Sequence, residues 1–315
     1  YVHPTYVRAI VDLVRAAGGR PFLTDSSTIY KGSRSDAVNH LETAIRNGFV
    51  MSVVNAPVII ADGLRGGSTV TVPVPGTHCK EVEIGGEAAA ADALIVITHF
   101  KGHEVTGFGG SIKNIGMGLA AKHGKLTMHS TLCPQVSAED CVRCGVCAAN
   151  CAHHAITVGK QKAEISVEKC VGCGQCIVVC PTGAIGLAWN GNPHDLQEKM
   201  AEYAMGTLYG KQGHALFFNF LQKISPDCDC YGFNDTPIVP DLGVMASRDC
   251  VAIDQACYDM VNKTEGNPLS RQPTPAGADK FKALFPHIDP TVQLAHGERI
   301  GLGTRRYELT QVGGR

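Results

Sequence analysis

Eight cysteines between Cys141 and Cys180 carry the strongest chemical signal in the chain. They fall in two runs, Cys141-Val-Arg-Cys144-Gly-Val-Cys147-Ala-Ala-Asn-Cys151 and, 29 residues on, Cys170-Val-Gly-Cys173-Gly-Gln-Cys176-Ile-Val-Val-Cys180-Pro181. Each run has the bacterial ferredoxin spacing, in which three closely spaced thiolates and a more distant one hold a 4Fe–4S cubane. Two-residue gaps let a tight loop wrap three corners of a cubane while its N–H groups point at sulfur. A short helix then carries the fourth cysteine to the other cluster. The expected ligand sets are Cys141, Cys144, Cys147 and Cys180 for one cluster, and Cys170, Cys173, Cys176 and Cys151 for the other. Zinc would use four thiols in two pairs and leave four without a role. A disulfide framework belongs to short secreted chains. Cys151 precedes Ala152 where Cys180 precedes Pro181, which changes the exit turn and not the ligand set.

A second stretch, His99-Phe-Lys101-Gly-His103-Glu-Val-Thr-Gly-Phe-Gly109-Gly110-Ser-Ile-Lys113-Asn114-Ile-Gly-Met-Gly118, is dense in groups that bind or react. Glycine lets a backbone approach a ligand and turn its N–H groups toward it. Lys101 and Lys113 would supply fixed positive charge for a carboxylate or phosphate. His99, His103 and the later His129 can act as acid, base or metal ligand. These five are the catalytic candidates, with Gly109, Gly110 and Asn114 as cofactor-contacting positions. No Gly-Lys-Ser/Thr closes the segment, so it is not a Walker loop, and the dinucleotide spacing is absent. The plain alternative is a glycine-rich packing loop with satisfied histidines. Cys228-Asp229-Cys230 reads as an additional metal or redox pair, or as two inert thiols. Cys79, Cys133, Cys250 and Cys257 lack partners at metal spacing and read as structural.

The surrounding pattern is α/β. Tyr6–Ala17 has helical apolar spacing ended by Gly18-Gly19, and Arg20–Thr24 leads as a strand into a polar loop that includes Lys31 and Arg34. Asp36–Asn47 follows as a helix, then Val58–Ala61 as a strand, with Thr69–Val74 and Lys80–Ile84 as an exposed pair. Ala91–Thr98 is the best buried strand and delivers the His/Lys segment at its end, where doubly wound folds hold ligands. Leu196–Tyr209 reads as a helix, Ala215–Phe220 and Ile238–Met245 as strands, and Asp249 or Ser247 as the cap of a helix carrying Asp254, a packing or hydrogen-bond residue. The expected architecture is a layered body of mixed or parallel sheet with an inserted α+β two-cluster ferredoxin-like domain. Its parts would be 1–133, 134–187 and 188–315, because the α/β pattern resumes after the cysteines.

Hydrophobic residues make up 44% of the 315 positions and the formal charge is -1. That balance gives no electrostatic reason to expect nucleic acid. No apolar run reaches the roughly 20 residues of a membrane span. Fourteen cysteines without a signal peptide indicate a reducing, cytoplasmic setting. The chain opens at Tyr1 in mid-pattern, so further residues are expected upstream.

His99-Phe-Lys-Gly-His103, Gly107-Phe-Gly-Gly110, Lys113-Asn-Ile-Gly-Met-Gly118, the two cysteine runs, Pro226-Asp-Cys228-Asp-Cys230 and Ile238-Val-Pro-Asp241 together resemble the iron–sulfur proteins of the domain of unknown function 362 family. The resemblance runs from Thr24-Asp25 to Ile300-Gly-Leu-Gly303 and implies little about reaction. A fainter likeness to the lactate racemase family would make His103, Lys113 and His129 the candidates for a nickel pincer cofactor and a hydroxy acid. The function expected is a redox protein that binds two 4Fe–4S clusters and passes electrons, from a donor such as ferredoxin, to a small anionic substrate at 99–118. The alternatives are a non-catalytic electron-transfer or metal-handling subunit, and a racemase-like enzyme with an organometallic cofactor.

Overall fold

The computed structural model describes residues 1–29, 32–129, 134–170, 175–186, 192–231 and 235–313. At its centre Ala215–Leu221 runs parallel to Leu94–His99 on one side and antiparallel to Gly243–Ser247 on the other. The Leu94–His99 strand alternates buried and half-buried positions, as one covered face requires. Its register sets Thr98 beside Asn219 and His99 beside Phe220. A second parallel pair joins Leu23–Asp25 to Val58–Ile60, flanked by the helices Pro4–Ala16 and Ala37–Arg46.

The protein is therefore α/β, but its sheets are small. Besides the three-stranded sheet, the described residues form only two-stranded ones. The 238–245 segment keeps strand form only at Gly243–Ser247, because Pro240 cannot donate to a ladder and Ile238 and Val239 bury in a loop. Thr69–Pro73 and Glu81–Gly85 pair antiparallel as their alternation foretells. No helix among the described residues is long and apolar enough to cross a membrane.

The glycine-rich stretch is not a loop. Lys101–His103 and Gly107–Gly109 pair antiparallel, and Ser111–Gly118 is a helix. Several of its glycines serve internal packing. A Cβ at Gly102 would overlap the Pro226 carbonyl, and one at Gly116 would overlap the carbonyl of Met200 on the helix Pro193–Thr207. Beneath them Phe100, Phe108, Tyr258 and Phe281 pack with ring centroids 5.2 to 5.9 Å apart. Each such ring contributes roughly 1.5–3 kcal/mol by burial, so the hairpin stands on a rigid floor.

The cysteine-rich segment has its own small architecture. Gln135–Val136 pairs antiparallel with Ile185–Gly186, and Ile156–Val158 with Ala163–Ile165. The short helices Val146–Ala149 and Gln175–Val179 follow the two cysteine loops. Cys147, Cys176, Val136, Ile156, Ile177 and Ile185 form an apolar cluster, and Ile29 and Leu126 reach into it from the body.

Candidate functional site

Cys141, Cys144, Cys147 and Cys180 line one small hollow. Three come from a single loop. The fourth arrives at the end of the other short helix, as the crossed ligand exchange requires. Arg143 (φ 56) and Gly145 (φ 75) put left-handed turns on both sides of Cys144 and wrap the loop around that space. Sulfur also receives backbone donors. Ala163 N–H donates to Cys141 Sγ at 3.4 Å, and Ala155 N–H to Cys151 Sγ at 3.3 Å. Burial opposes charge on Cys180, yet hydrogen bonds from the Thr182 hydroxyl and from the Thr182, Ala184 and Ile185 N–H groups outweigh it and lower its pKa. Donors aimed at thiolate sulfur stabilise the charge a cubane ligand must carry, so these residues fit the group. Among the described residues no three His, Cys, Asp or Glu side chains converge on a single-ion site. A cubane spreads its four sulfurs more widely than one ion does, so the two observations are compatible. Of the other ligand set, Cys151 and Cys170 are half-buried and Cys176 buried. Cys173, like Cys133 and Lys31, lies outside the described residues.

The histidines and lysines of 99–118 meet the Cys228–Cys230 turn. Tyr231 N–H donates to the Cys228 carbonyl at 3.2 Å and closes that turn. The turn is seated where Gly102 lies against the Pro226 carbonyl. Asp229, between the two cysteines, accepts from His99 Nδ1 at 2.7 Å and lies 3.9 Å from Lys101 Nζ. Burial works against its charge, but the His99 hydrogen bond and Lys101 hold its carboxyl well below the usual range. His103 is buried, and its Nδ1 accepts N–H groups of Val105 and Thr106, both at 3.2 Å. That fixes the neutral tautomer with its proton on Nε2. Burial and the nearby Lys113 charge keep His103 from protonating, against the pull of Cys228.

Cys228 is the focus of this arrangement. The neighbouring Cys230 thiol favours its charged form, and against the cost of burial Lys113, His103 and Lys101 add to that effect. The Cys228 thiol pKa is strongly lowered, and that of Cys230 is raised, first by its bond to Cys228 and then by burial. His129 sits at the end of the helix Lys122–His129, its pKa pushed down to about 3 by burial and then by Lys113 and His103. His103, Lys113 and His129 thus share one electrostatic environment with Cys228, and His99 and Lys101 are tied in through Asp229.

Other residues of the segment hold the frame. Asp254, fully buried on the helix Cys250–Lys263, accepts from Ser111 N–H at 2.7 Å, Ile112 N–H at 2.9 Å and Asn219 Nδ2 at 2.7 Å. It caps the helix that follows Gly110, and a Cβ at Gly110 would overlap its carboxylate. The N–H groups at that helix start are directed at Asp254. Asn114 donates to the Ile97 carbonyl at 3.1 Å and to Thr98 Oγ1 at 2.9 Å, tying the helix to the strand. Gly109 lies beneath the Lys113 and Lys101 side chains. The distant partners of Asp229 and Asp254 escape a sequence reading, because carboxylates carry no local spacing signal for what they will meet.

An α/β body with a lysine-flanked thiol pair and a separate four-cysteine hollow is the class of protein that fold and site define. The chain belongs to the family described as Domain of unknown function (DUF362), whose pattern matches residues 1–259. No curated protein matches it. Among solved structures, the lactate racemase apoprotein from Thermoanaerobacterium thermosaccharolyticum is similar at 13% identity and a TM-score of 0.40, covering 84% of this chain. The chain spans 47% of that protein's length.

Proposed function

We propose that the protein is an iron–sulfur redox protein, with two 4Fe–4S clusters held by Cys141, Cys144, Cys147 and Cys180, and by Cys151, Cys170, Cys173 and Cys176. The observation that carries this reading is the convergence of the first four on one hollow, the distant Cys180 included. Such clusters supply one-electron transfer when bound. The protein's own contribution is to exclude water with the apolar cluster around Cys147 and Cys176 and to aim N–H donors at sulfur.

The helix Lys122–His129 supports a link to the body. Its Leu126 is buried in the cysteine segment's apolar cluster, while His129 feels the charges of Lys113 and His103. One rigid turn of helix therefore joins the cluster segment to the basic site. In this reading Lys113 and Lys101 attract a small anion, and no acidic side chain among the described residues forms an ion pair with Lys113. His103, fixed with Nε2–H outward from its backbone clamp, is a donor and not a base. An external donor such as ferredoxin would supply the electrons.

The test is anaerobic purification with iron and acid-labile sulfide quantification and electron paramagnetic resonance. About eight irons per chain and reduced-cluster signals are expected. Zinc, or iron below about one per chain, would end the reading. Cys180→Ser should remove one cluster signal and leave the other.

A further inference from the structure

Of the first four cysteines, Cys147 is buried, Cys141 and Cys180 are half-buried, and Cys144 reaches the surface. The turn that carries Cys144 is held from both sides. Arg143, left-handed at φ 56, sends its guanidinium to the Lys160 carbonyl at 2.9 Å and so ties the turn to the tip of the hairpin 156–165. A left-handed backbone is costly for arginine, and such outliers gather at functional sites. On the other side of Cys144, a Cβ at Gly145 would touch Val158 Cγ2 at 3.8 Å, so the end of the Ile156–Val158 strand lies against the same turn. Val142 and Val158 are 62% and 46% exposed. Arg143 and Lys160 are exposed beside them, and Lys162, whose Nζ donates to the Val136 carbonyl at 2.8 Å, adds a third charge at the hairpin tip. The nearby carboxylates lie elsewhere. Strand alternation puts Val158 and Ala163 on the cysteine side and Glu164 on the opposite one, where a Cβ at Gly159 would overlap its carboxylate. Glu139 and Asp140 precede Cys141, at the half-buried end of the loop. Exposed valines edged by arginine and lysine have the make-up of a small protein interface, an apolar centre with a charged rim.

We propose that this face is the docking surface for an acidic one-electron carrier protein, with Val142 and Val158 at its centre and Arg143 and Lys160 as the charges that orient the partner. This rests on reading Cys141, Cys144, Cys147 and Cys180 as cluster ligands. It adds which edge of that site meets the partner, and the partner's charge. Electron transfer slows steeply with distance, so a partner seated over the exposed cysteine has the shortest path. Encounters between electron carriers need only a small contact, below about 1,200 Å², and a few residues suffice to form it. The sign of the rim selects the partner. Arg143, Lys160 and Lys162 steer an acidic surface toward the turn and repel a basic one. The chain as a whole carries a formal charge of only -1, so attraction for an acidic protein must come from this local group and not from net charge. In each encounter the carrier gives up one electron and the loaded protein takes it up; no bond forms or breaks and no proton need move.

The experiment uses the intact, cluster-replete chain under anaerobic conditions. The probe is an acidic 2Fe–2S ferredoxin with redox-inert gallium in place of iron, so that calorimetry reads docking without electron transfer. A basic c-type cytochrome carrying zinc in place of iron is the opposite-charge control. Wild type should bind the ferredoxin at low salt and bind the cytochrome more weakly or not at all. Raising salt to about 0.15 M, where exposed charges act over only about 8 Å, should weaken ferredoxin binding by about tenfold or more. Lys160→Glu keeps the backbone carbonyl that Arg143 uses and should weaken docking by about tenfold or more at low salt. Arg46→Glu, on the exposed end of the helix Ala37–Arg46, changes net charge equally and should leave docking unchanged. With the native ferredoxin and rapid mixing, Lys160→Glu should slow reduction by the protein carrier and not reduction by a small viologen. No ferredoxin binding at low salt overturns the proposal. So does tighter binding of the cytochrome, or equal loss with Lys160→Glu and Arg46→Glu. Iron and sulfide content, measured on the same samples, reports on the clusters separately, so either reading can fail alone.

Discussion

At the scale of single residues, Asp254 shows how a buried charge shapes this site. Burial raises its pKa from the ordinary 3.8 to about 6, although the Ile112, Asn219 and Ser111 donors pull the other way. The native state therefore holds this proton more tightly than the unfolded chain does. Stability from this group is greatest below the ordinary pKa and falls as pH rises toward 6, by ~3 kcal/mol in total. Asp254→Asn should abolish that slope in urea titrations across the range. It should also cost about 1–3 kcal/mol at neutral pH, because one buried N–H at the helix start loses its acceptor. Gly110→Ala should be similarly costly, since its methyl overlaps the same carboxylate. The sequence marked Asp254 as a packing or hydrogen-bond residue of its helix, but not its partners. Asp254 lies 143 residues from Ser111 and Asp229 lies 130 from His99, whereas the cysteine runs declare themselves because their spacing is local. Lys113 and His103 were legible only as a density of polar residues after a buried strand. Their shared object, the Cys228 sulfur, was not.

At the scale of elements, the helix Pro193–Thr207 does more than its amphipathic pattern announces. Glu202, one turn after Glu198, accepts from Thr77 N–H at 2.7 Å and Cys79 N–H at 2.7 Å, and pairs with the buried His296 at 3.0 Å. Glu198 pairs with His78 at 2.6 Å and accepts from Arg299 at 2.6 Å. Burial works against both charges, but these partners hold both pKa values down at about 2. Stability from the pair is thus present above the ordinary glutamate pKa of 4.5 and is lost as pH falls toward 2. This window lies below that of Asp254, and the two slopes have opposite sign. Glu202→Gln should cost about 3 kcal/mol or more, read as a fall in melting temperature, since it breaks a buried pair from one side. The same helix sets the glycine at 116. Gly116→Ala should push the helices Ser111–Gly118 and Pro193–Thr207 apart and destabilise by about 1–3 kcal/mol, and with them the placement of Lys113. The sequence marked both helices as elements; the glycines looked like ligand contacts because close backbone approach has the same signature whether the neighbour is a ligand or another helix.

At the scale of the molecule, the body and the cysteine segment meet through Ile29 and Leu126. Leu126→Ala is expected to cost about 2–5 kcal/mol, and in cluster-replete protein it should also speed iron loss to a chelator, followed as bleaching of visible absorbance. Unchanged bleaching would separate the segment's stability from its seat on the body. The α/β class was visible from the alternation of helix and strand patterns, but the breaking of its sheet into small pieces was not, since strand length depends on neighbours distant in sequence. Finally, the antiparallel pairing of Gln135–Val136 with Ile185–Gly186 draws the two ends of the cysteine segment side by side. Such neighbouring termini make the segment a removable cassette. A few linking residues in its place should leave the body able to fold, provided the apolar scar at Leu126 and Ile29 is made polar, and on the proposed cluster reading the transplanted cassette should bind iron in a new host loop.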